Sequence, residues 1–200
     1  MANGTLKVSN IETSSGSGTI TIGQSGETIS VPSGATINLS SATQTGVGGV
    51  NTPAFEARLS SAHAVATDTW TKINIDTEIY DTGGCYDNST NYRFTPTTAG
   101  KYFVYARATF DDGAGDMRQC IAYIYKNGSQ IASAKINFDN SSTNEGEGGT
   151  PILTTVIDMN GSSDYLEMFG EYDSNDGGTA NIQGNANVRS TNFGAFRLGS

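Results

Sequence analysis

Alternation of apolar and polar residues predicts β-strands along the second part of the chain. The clearest case is Tyr102–Ala108, where every second residue is apolar and shares one predicted face, while Phe103, Tyr105 and Arg107 share the other. Further strands are expected at 120–125, 130–136, 152–159, 165–169 and 193–198. No segment shows sustained apolar spacing of three and four residues, so we expect an all-β protein.

Two Asn-Gly pairs predict tight turns between these strands. Asn127-Gly128 separates the strands at 120–125 and 130–136, and Asn160-Gly161 separates those at 152–159 and 165–169. Tight hairpin turns need positive φ at their central residues, which Asn and Gly tolerate. About eight to ten strands then fall within roughly 150 residues, the size of an antiparallel two-sheet jelly-roll sandwich.

The first part of the chain has a different character. Its first 52 residues contain no Phe, Tyr or Trp, and Gly26–Ser33 aligns with Gly34–Ser41 at an offset of eight residues. Each copy predicts one short strand and a turn, which is stable only if copies stack or several chains wrap together. We therefore assign residues 1–49 to a repetitive Gly/Ser/Thr/Ile β stem or anchor and residues 50–200 to a jelly-roll head. A partly ordered linker is the alternative for the first segment.

The charge and the N-terminus argue against several classes of partner. The net charge is −9, and the eleven Lys and Arg residues form no basic run, so we expect no nucleic-acid partner and no anionic membrane surface. Met1–Lys7 lacks the apolar core of a secretory signal, and no apolar run approaches the roughly 20 residues of a spanning helix. We therefore expect no membrane insertion and assembly in a cytoplasm. Cys85 and Cys120 would be free buried thiols there, and a disulfide would require them to be adjacent in the fold.

The segment Ile75–Ala106 resembles the signature of the complement component 1q globular-head family, whose domains share the tumour-necrosis-factor-like jelly roll. Asp81 is followed after four residues by Tyr86, and Phe94 is followed after five residues by Gly100-Lys101-Tyr102. The resemblance covers about residues 53 to 199 and implies a jelly roll whose core includes these aromatic residues.

The chain departs from that signature at a few positions. Ile75 stands where the family has Phe, Val104 and Ala106 replace two aromatics, and the Tyr86-to-Phe94 spacing is one residue longer. These changes keep the apolar character that core packing needs. Three further segments resemble the family's first strand, a later strand and its closing strand: 54–57, 161–166 and 193–198.

The resemblance implies a homotrimer in which three jelly rolls pack around a three-fold axis, with aromatic and aliphatic side chains at the seam between them. The candidate seam residues are Phe103, Tyr105, Tyr123 and Tyr125, and the alternative is that some of them only cover the sandwich. A simple repeat ahead of a trimeric jelly roll also resembles phage virion fibres. That second resemblance implies that the N-terminal segment contacts other virion proteins.

Residues that could carry chemistry are few, and the sequence assigns no catalytic, cofactor-binding or metal-binding residue. The single histidine, His63, has no Ser or Cys elbow near it, and Cys85 lacks the spacing of a zinc ligand. We therefore expect no enzyme and no cofactor. Calcium is the one metal considered, because the acidic segments Asp111–Asp116, Glu145–Glu147 and Asp173–Gly178 could supply oxygen ligands, with solvated strand connections as the alternative.

These features favour a virion structural protein, a trimeric tail fibre or spike whose head binds a host-surface glycan or protein. A capsid decoration protein and a cellular carbohydrate- or protein-binding module remain as alternatives. A depolymerising enzyme would need paired carboxylates at a cleft, and the glutamates lie in unrelated contexts. If the fibre hypothesis holds, recognition is expected on loops 139–150 and 173–186.

Overall fold

The computed structural model describes residues 9–13, 18–38, 51–113, 115–138, 146–175 and 177–198. The chain divides into two compact units, Met1–Thr45 and Gly46–Ser200. All fifteen strands found among the described residues lie in the second unit, and those residues contain no helix. The fold is therefore all-β, as the sequence predicts.

The eight-residue repeat of the first unit is built as two equivalent turns. Gly26 and Gly34 take φ values of 89° and 87°, which is what the third position of a type II turn requires. Backbone hydrogen bonds of 3.0 and 3.1 Å close the turns, from Glu27 N to Gln24 O and from Ala35 N to Pro32 O. The predicted short strands are absent from the described residues of this unit, because a lone extended segment has no backbone partner to pair with.

The strands of the second unit are numbered in chain order. They are β1 Ala54–Arg58, β2 His63–Ala66, β3 Thr71–Lys72, β4 Thr77–Asp81, β5 Tyr86–Asp87, β6 Arg93–Phe94, β7 Gly100–Arg107, β8 Phe110–Asp111, β9 Met117–Lys126, β10 Ser129–Asn137, β11 Gly148–Gly149, β12 Ile152–Met159, β13 Leu166–Ser174, β14 Thr179–Ile182 and β15 Asn192–Arg197. This exceeds the predicted eight to ten, because the additional strands are mostly two residues long, too short to show periodicity.

The first sheet has the strand order β12-β7-β15-β1-β4, with antiparallel pairing throughout. Its strand β7, which lies between β12 and β15, confirms the predicted alternation, since Tyr102, Val104 and Ala106 point inward and are at most 1% exposed. The strand ends at Arg107, and Phe110 begins the separate strand β8. The first sheet therefore presents one face to the core and the opposite face outward.

The second sheet has the order β10-β9-β13-β6-β5, with β3 pairing onto β13. The turn between β9 and β10 contains Asn127 with φ 53° and Gly128 with φ 78°, which confirms the predicted hairpin. Gly161, in the turn between β12 and β13, has φ 71°. The two sheets pack face to face as an antiparallel jelly-roll sandwich, as predicted.

A third, four-stranded sheet of order β11-β8-β14-β2 accompanies the sandwich. Its strand β14 lies within the segment 173–186 that was expected to be a recognition loop, and Ala180 and Ile182 in it are fully buried. The sequence interpretation was therefore wrong for that part of the segment, because two inward apolar residues belong to the core. The other expected recognition loop is 139–150, and residues 139–145 of it lie outside the described residues.

The core between the sheets centres on aromatic rings. Phe55 of β1 stacks on Tyr86 and Phe94 of the second sheet with centroid separations of 4.5 Å in each case, and it meets Phe193 edge-on at 5.1 Å. Phe94 in turn contacts Tyr102 at 5.7 Å. The aromatic residues that carry the family resemblance, Tyr86, Phe94 and Tyr102, are therefore core residues, and their role is packing.

Candidate functional site

The outer face of the first sheet carries a row of apolar side chains. Val156 on β12 and Phe196 on β15 are the cross-strand partners of Phe103 on β7, so all three project from the same side. The Phe103 and Phe196 rings lie 5.3 Å apart, and Phe103 also lies 6.4 Å from Tyr105. Val156 remains 51% exposed. We call Phe103, Tyr105, Val156 and Phe196 the aromatic face.

Tyr105 lies flat across the sheet because its neighbour in the register has no side chain. Gly194 pairs with Tyr105, and a Cβ atom on Gly194 would stand 2.3 Å from the Tyr105 ring. The Tyr105 hydroxyl is hydrogen-bonded to the side chains of Tyr80 and Glu56. Burial, followed by the hydrogen bond with Tyr80, raises the pKa of Tyr105 well above its ordinary value. The ring is therefore held in place and neutral.

The next row along the same face is basic. Arg107 on β7 and Arg58 on β1 both pair with Asn192 of β15, so their side chains flank that residue. Together with Arg189 they line a cleft of about 620 Å³. Arg189 forms an ion pair with Glu56 through its Nε atom at 3.0 Å, whereas the Nε atoms of Arg58 and Arg107 are buried and lack hydrogen-bond partners among the described residues. We call this feature the arginine cleft.

The remaining walls of the arginine cleft combine polar and apolar groups: Glu78, Ile79, Asn187 and Val188. Glu78 and Asn187 are exposed, and Val188 is 57% exposed. Alternation in the sequence placed Arg107 on the outward face of its strand without indicating a role for it, and no sequence signal pointed to Arg58 or Arg189. No local motif marks these three arginines. Strand pairing brings Arg58 and Arg107 to the cleft, and the segment between β14 and β15 brings Arg189 there.

The second sheet has its own outward aromatics, and one of them, Tyr123, is covered within the chain. Tyr123 is only 6% exposed, lies 6.5 Å from the ring of Trp70, and donates a hydrogen bond to Glu171. Tyr125 packs on Phe169 at 4.3 Å. Burial and the Glu171 hydrogen bond raise the pKa of Tyr123.

The four predicted seam residues therefore do not lie together. Phe103 and Tyr105 occupy the outer face of the first sheet, whereas Tyr123 and Tyr125 occupy the outer face of the second. The alternative was that some of the four only cover the sandwich, and it holds for Tyr123. Phe103 and Tyr105 lie with Val156 and Phe196 on the aromatic face, whereas Tyr125 packs beside Phe169 on the second sheet.

The acidic segments come together at one end of the sandwich, where Asp111 and Asp112 accept hydrogen bonds within their own loop and Asp173 pairs with Arg118. Asp111 Oδ1 accepts from Gly113 N at 3.0 Å, and Asp112 accepts from Gly115 N at 3.1 Å and Asp116 N at 3.3 Å. Asp112 N donates to the carbonyl of Glu147 at 3.0 Å. Among the residues that the structure describes, no group of three or more acidic, His or Cys side chains could hold a metal ion. Glu145 and Asp176 lie outside that part.

His63 and the two cysteines occupy structural positions. His63 lies on β2, its Nδ1 accepts the backbone N–H of Asn74 at 3.5 Å, and partial burial lowers its pKa. Both cysteines are buried and free, as the sequence analysis favoured, and burial raises the pKa of Cys120 to about 12. A thiol with so high a pKa is a poor nucleophile at neutral pH. The described part of the chain also has no helix with the length and apolarity needed to cross a membrane.

Comparison with known proteins identifies the fold. No protein-family model and no curated protein matches the chain. Solved structures do: the Eiger TNF from S. frugiperda aligns with TM-score 0.55 at 9% identity, covering 74% of this chain and 92% of that one. Murine APRIL aligns with TM-score 0.50 at 10% identity, covering 72% and 99%. The globular domain of zebrafish complement 1qA aligns with TM-score 0.49 at 11% identity, covering 73% and 97%.

The first two likenesses show that the head has the tumour-necrosis-factor-like jelly-roll fold. At identities of 9 and 10% they show the fold alone. The fold agrees with the family that the Ile75–Ala106 signature resembles.

Proposed function

We propose that this chain is a virion structural protein, a homotrimeric fibre or spike. Residues 1–49 form the stem and contact other virion proteins, and the jelly-roll head of residues 50–200 binds a host-surface glycan or protein. The chain acts by binding rather than by catalysis, a proposal that rests on the structural roles of His63 and Cys120.

The observation that carries the proposal is the set of unburied aliphatic side chains in the first unit. Six Ile and Val residues there are between 42% and 64% exposed: Ile11, Ile20, Ile22, Ile29, Val31 and Ile37. Ile29 and Ile37 occupy equivalent positions of the eight-residue repeat, so they would line one another in stacked or intertwined copies. A single chain gives them no cover, and several copies wrapped together would remove them from water.

The aromatic face supplies a second surface for self-association. Phe103, Phe196 and Val156 form a continuous apolar row across three paired strands, and the Tyr105 ring lies beside it, 6.4 Å from that of Phe103. Rigid aromatic side chains bury much area at little cost in conformational entropy, which is why they are enriched at protein interfaces. Three heads joined in this way would present three identical sites, and avidity would strengthen weak contacts with a surface.

The oligomer is tested by light scattering of the full chain and of two matched triple variants. The first replaces Ile22, Ile29 and Ile37 by Asp, and the second replaces the adjacent Thr21, Thr28 and Thr36 by Asp, which adds the same charge to exposed polar positions. We expect wild type and the threonine variant to have three times the chain mass of 20.9 kDa, and the isoleucine variant to dissociate at least tenfold more readily. A monomeric wild-type protein would refute the trimeric fibre.

The virion assignment needs a separate measurement. Mass spectrometry of purified phage particles from the source is expected to detect the chain, with particle-free lysate as the control. Gold-labelled antibody should mark the tail for a fibre or spike, and labelling spread over the capsid shell would favour a decoration protein. Absence from particles would refute the virion role.

A further inference from the structure

Half of the arginines of this acidic protein line one cleft. The sequence has a net charge of −9 and six arginines: Arg58, Arg93, Arg107, Arg118, Arg189 and Arg197. Three of these, Arg58, Arg107 and Arg189, line the arginine cleft. A local concentration of cations in a protein of opposite net charge creates a confined positive potential, which attracts anions to that place.

Two of the three guanidinium groups have no carboxylate partner in the described part of the chain. Within the described residues neither Arg58 nor Arg107 forms an ion pair, and the Nε atom of each is buried without an acceptor. Arg189 differs, because Glu56 already binds it. The Arg58 and Arg107 side chains line the cleft, so their terminal N–H donors can meet an anion there, and a planar carboxylate matches such paired donors.

The other walls indicate what carries that carboxylate. The cleft volume of about 620 Å³ lies in the range typical of small-molecule sites and far exceeds the needs of a single oxyanion. Glu78 and Asn187 offer acceptors and a donor for hydroxyl groups, while Ile79 and Val188 offer apolar contact to C–H groups. The Glu78 carboxylate also opposes a second negative charge on the ligand, which disfavours a phosphate dianion.

We propose that the arginine cleft binds a sugar acid, with the sugar carboxylate between Arg58 and Arg107 and the hydroxyl groups toward Asn187 and Glu78. This inference deepens the proposed function, on which it rests for the biological source of the sugar, by specifying that the host-surface glycan carries carboxylate groups. The binding itself requires only the cleft.

The test is calorimetric titration of the full-length protein with methyl glucuronide and with N-acetylneuraminic acid. Methyl glucoside and inorganic phosphate are titrated as the neutral and the non-sugar comparisons, and light scattering records the oligomeric state of every sample. We expect saturable binding of at least one sugar acid, at least tenfold tighter than methyl glucoside and phosphate.

Three variants locate the site. Arg107→Gln is expected to weaken binding at least tenfold, whereas Lys135→Gln, which removes the same charge from an exposed position on β10, leaves it unchanged. Asn187→Ala changes only an exposed side chain, so this variant should fold and can test the site even if Arg107→Gln does not fold. It is expected to weaken binding two- to fivefold.

Several outcomes would overturn the inference. They are the absence of saturable sugar-acid binding, equal affinity for phosphate, or affinities unchanged in both cleft variants. Wild-type protein could also be a trimer that binds no sugar acid and dissociates when Arg107 is replaced by Gln. That result would show that the guanidinium pairs with a carboxylate of a second copy, and the sugar-acid site would be wrong. A monomer that binds sugar acids would leave the cleft assignment standing and refute the trimeric fibre, so the two proposals fail separately.

Discussion

Phe55 joins the two sheets of the head, and its truncation is the sharpest test of the core. The side chain is fully buried and projects from β1 of the first sheet between Tyr86 and Phe94 of the second, with centroid separations of 4.5 Å to each. Phe193 closes the group at 5.1 Å. Phe55→Ala therefore removes three ring contacts and leaves a cavity that both sheets border.

The structure places the expected loss near the upper end of the usual range. Truncation of a buried Phe to Ala costs about 3–5 kcal/mol, and each aromatic pair contributes about 0.5–1.5 kcal/mol beyond its buried area. With three ring partners lost, we expect about 4–5 kcal/mol. Because domains are stable by only about 5–15 kcal/mol, the variant should be close to unfolding at room temperature.

Guanidinium unfolding followed by circular dichroism measures the effect at one fixed protein concentration. Phe55→Leu keeps most of the apolar volume but loses the three ring pairs, so it should lose about 1.5–3 kcal/mol, less than Phe55→Ala. Ile152→Ala, at a position that is 63% exposed, should stay within about 0.5 kcal/mol of wild type. A loss below about 2 kcal/mol for Phe55→Ala, or one equal to that of Phe55→Leu, would refute the inter-sheet role of the ring.

Two further predictions concern a turn and the response to acid. Gly161→Ala should lower the free energy of unfolding by about 2–4 kcal/mol, because φ is 71° and the added Cβ would stand 2.2 Å from Ala99 N; equal unfolding midpoints for the variant and wild type would contradict this. Stability should fall as the pH drops below about 4. Backbone hydrogen bonds from Thr90 and Ser89 lower the pKa of Asp87, and Lys126 lowers that of Asp164, so the folded state binds fewer protons than the unfolded chain. The double variant Asp87→Asn, Asp164→Asn should lose less stability between pH 4 and pH 2 than wild type, and identical acid titrations would count against this cause.

Proposed self-association and proposed ligand binding share the outer face of the first sheet. Three outward residues follow one another on β7 at intervals of two: Phe103, Tyr105 and Arg107. Phe103 and Tyr105 belong to the aromatic face, and Arg107 lines the arginine cleft. Neighbouring strands extend these rows across the sheet. A trimer built on the apolar row would therefore bring its arginine clefts close to the contacts between heads, so oligomeric state and ligand binding should be measured on the same samples.

The sequence alone determined the parts of the fold that depend on short-range patterns. Strict alternation in Tyr102–Ala108 specified an inward and an outward face, and Asn127-Gly128 specified a hairpin with both residues at positive φ. The spacing of Phe94 and Tyr102 indicated the jelly roll because those rings lie on successive strands of its core. The two-residue strands and the third sheet escaped prediction, since two residues carry no readable period.

Only the tertiary structure decided which outward side chains lie together on a surface. Tyr105 and Tyr123 are both outward aromatics in the sequence, yet one lies beside an open apolar row and the other is covered by Trp70. Arg58, Arg107 and Arg189 are far apart along the chain, and strand pairing between β1, β15 and β7 brings the first two together. Local pattern fixes which way a side chain points from its strand, whereas the strands that lie beside it decide what that side chain meets. Alternation is a property of neighbours along the chain, and a binding surface is a property of neighbours across the sheet.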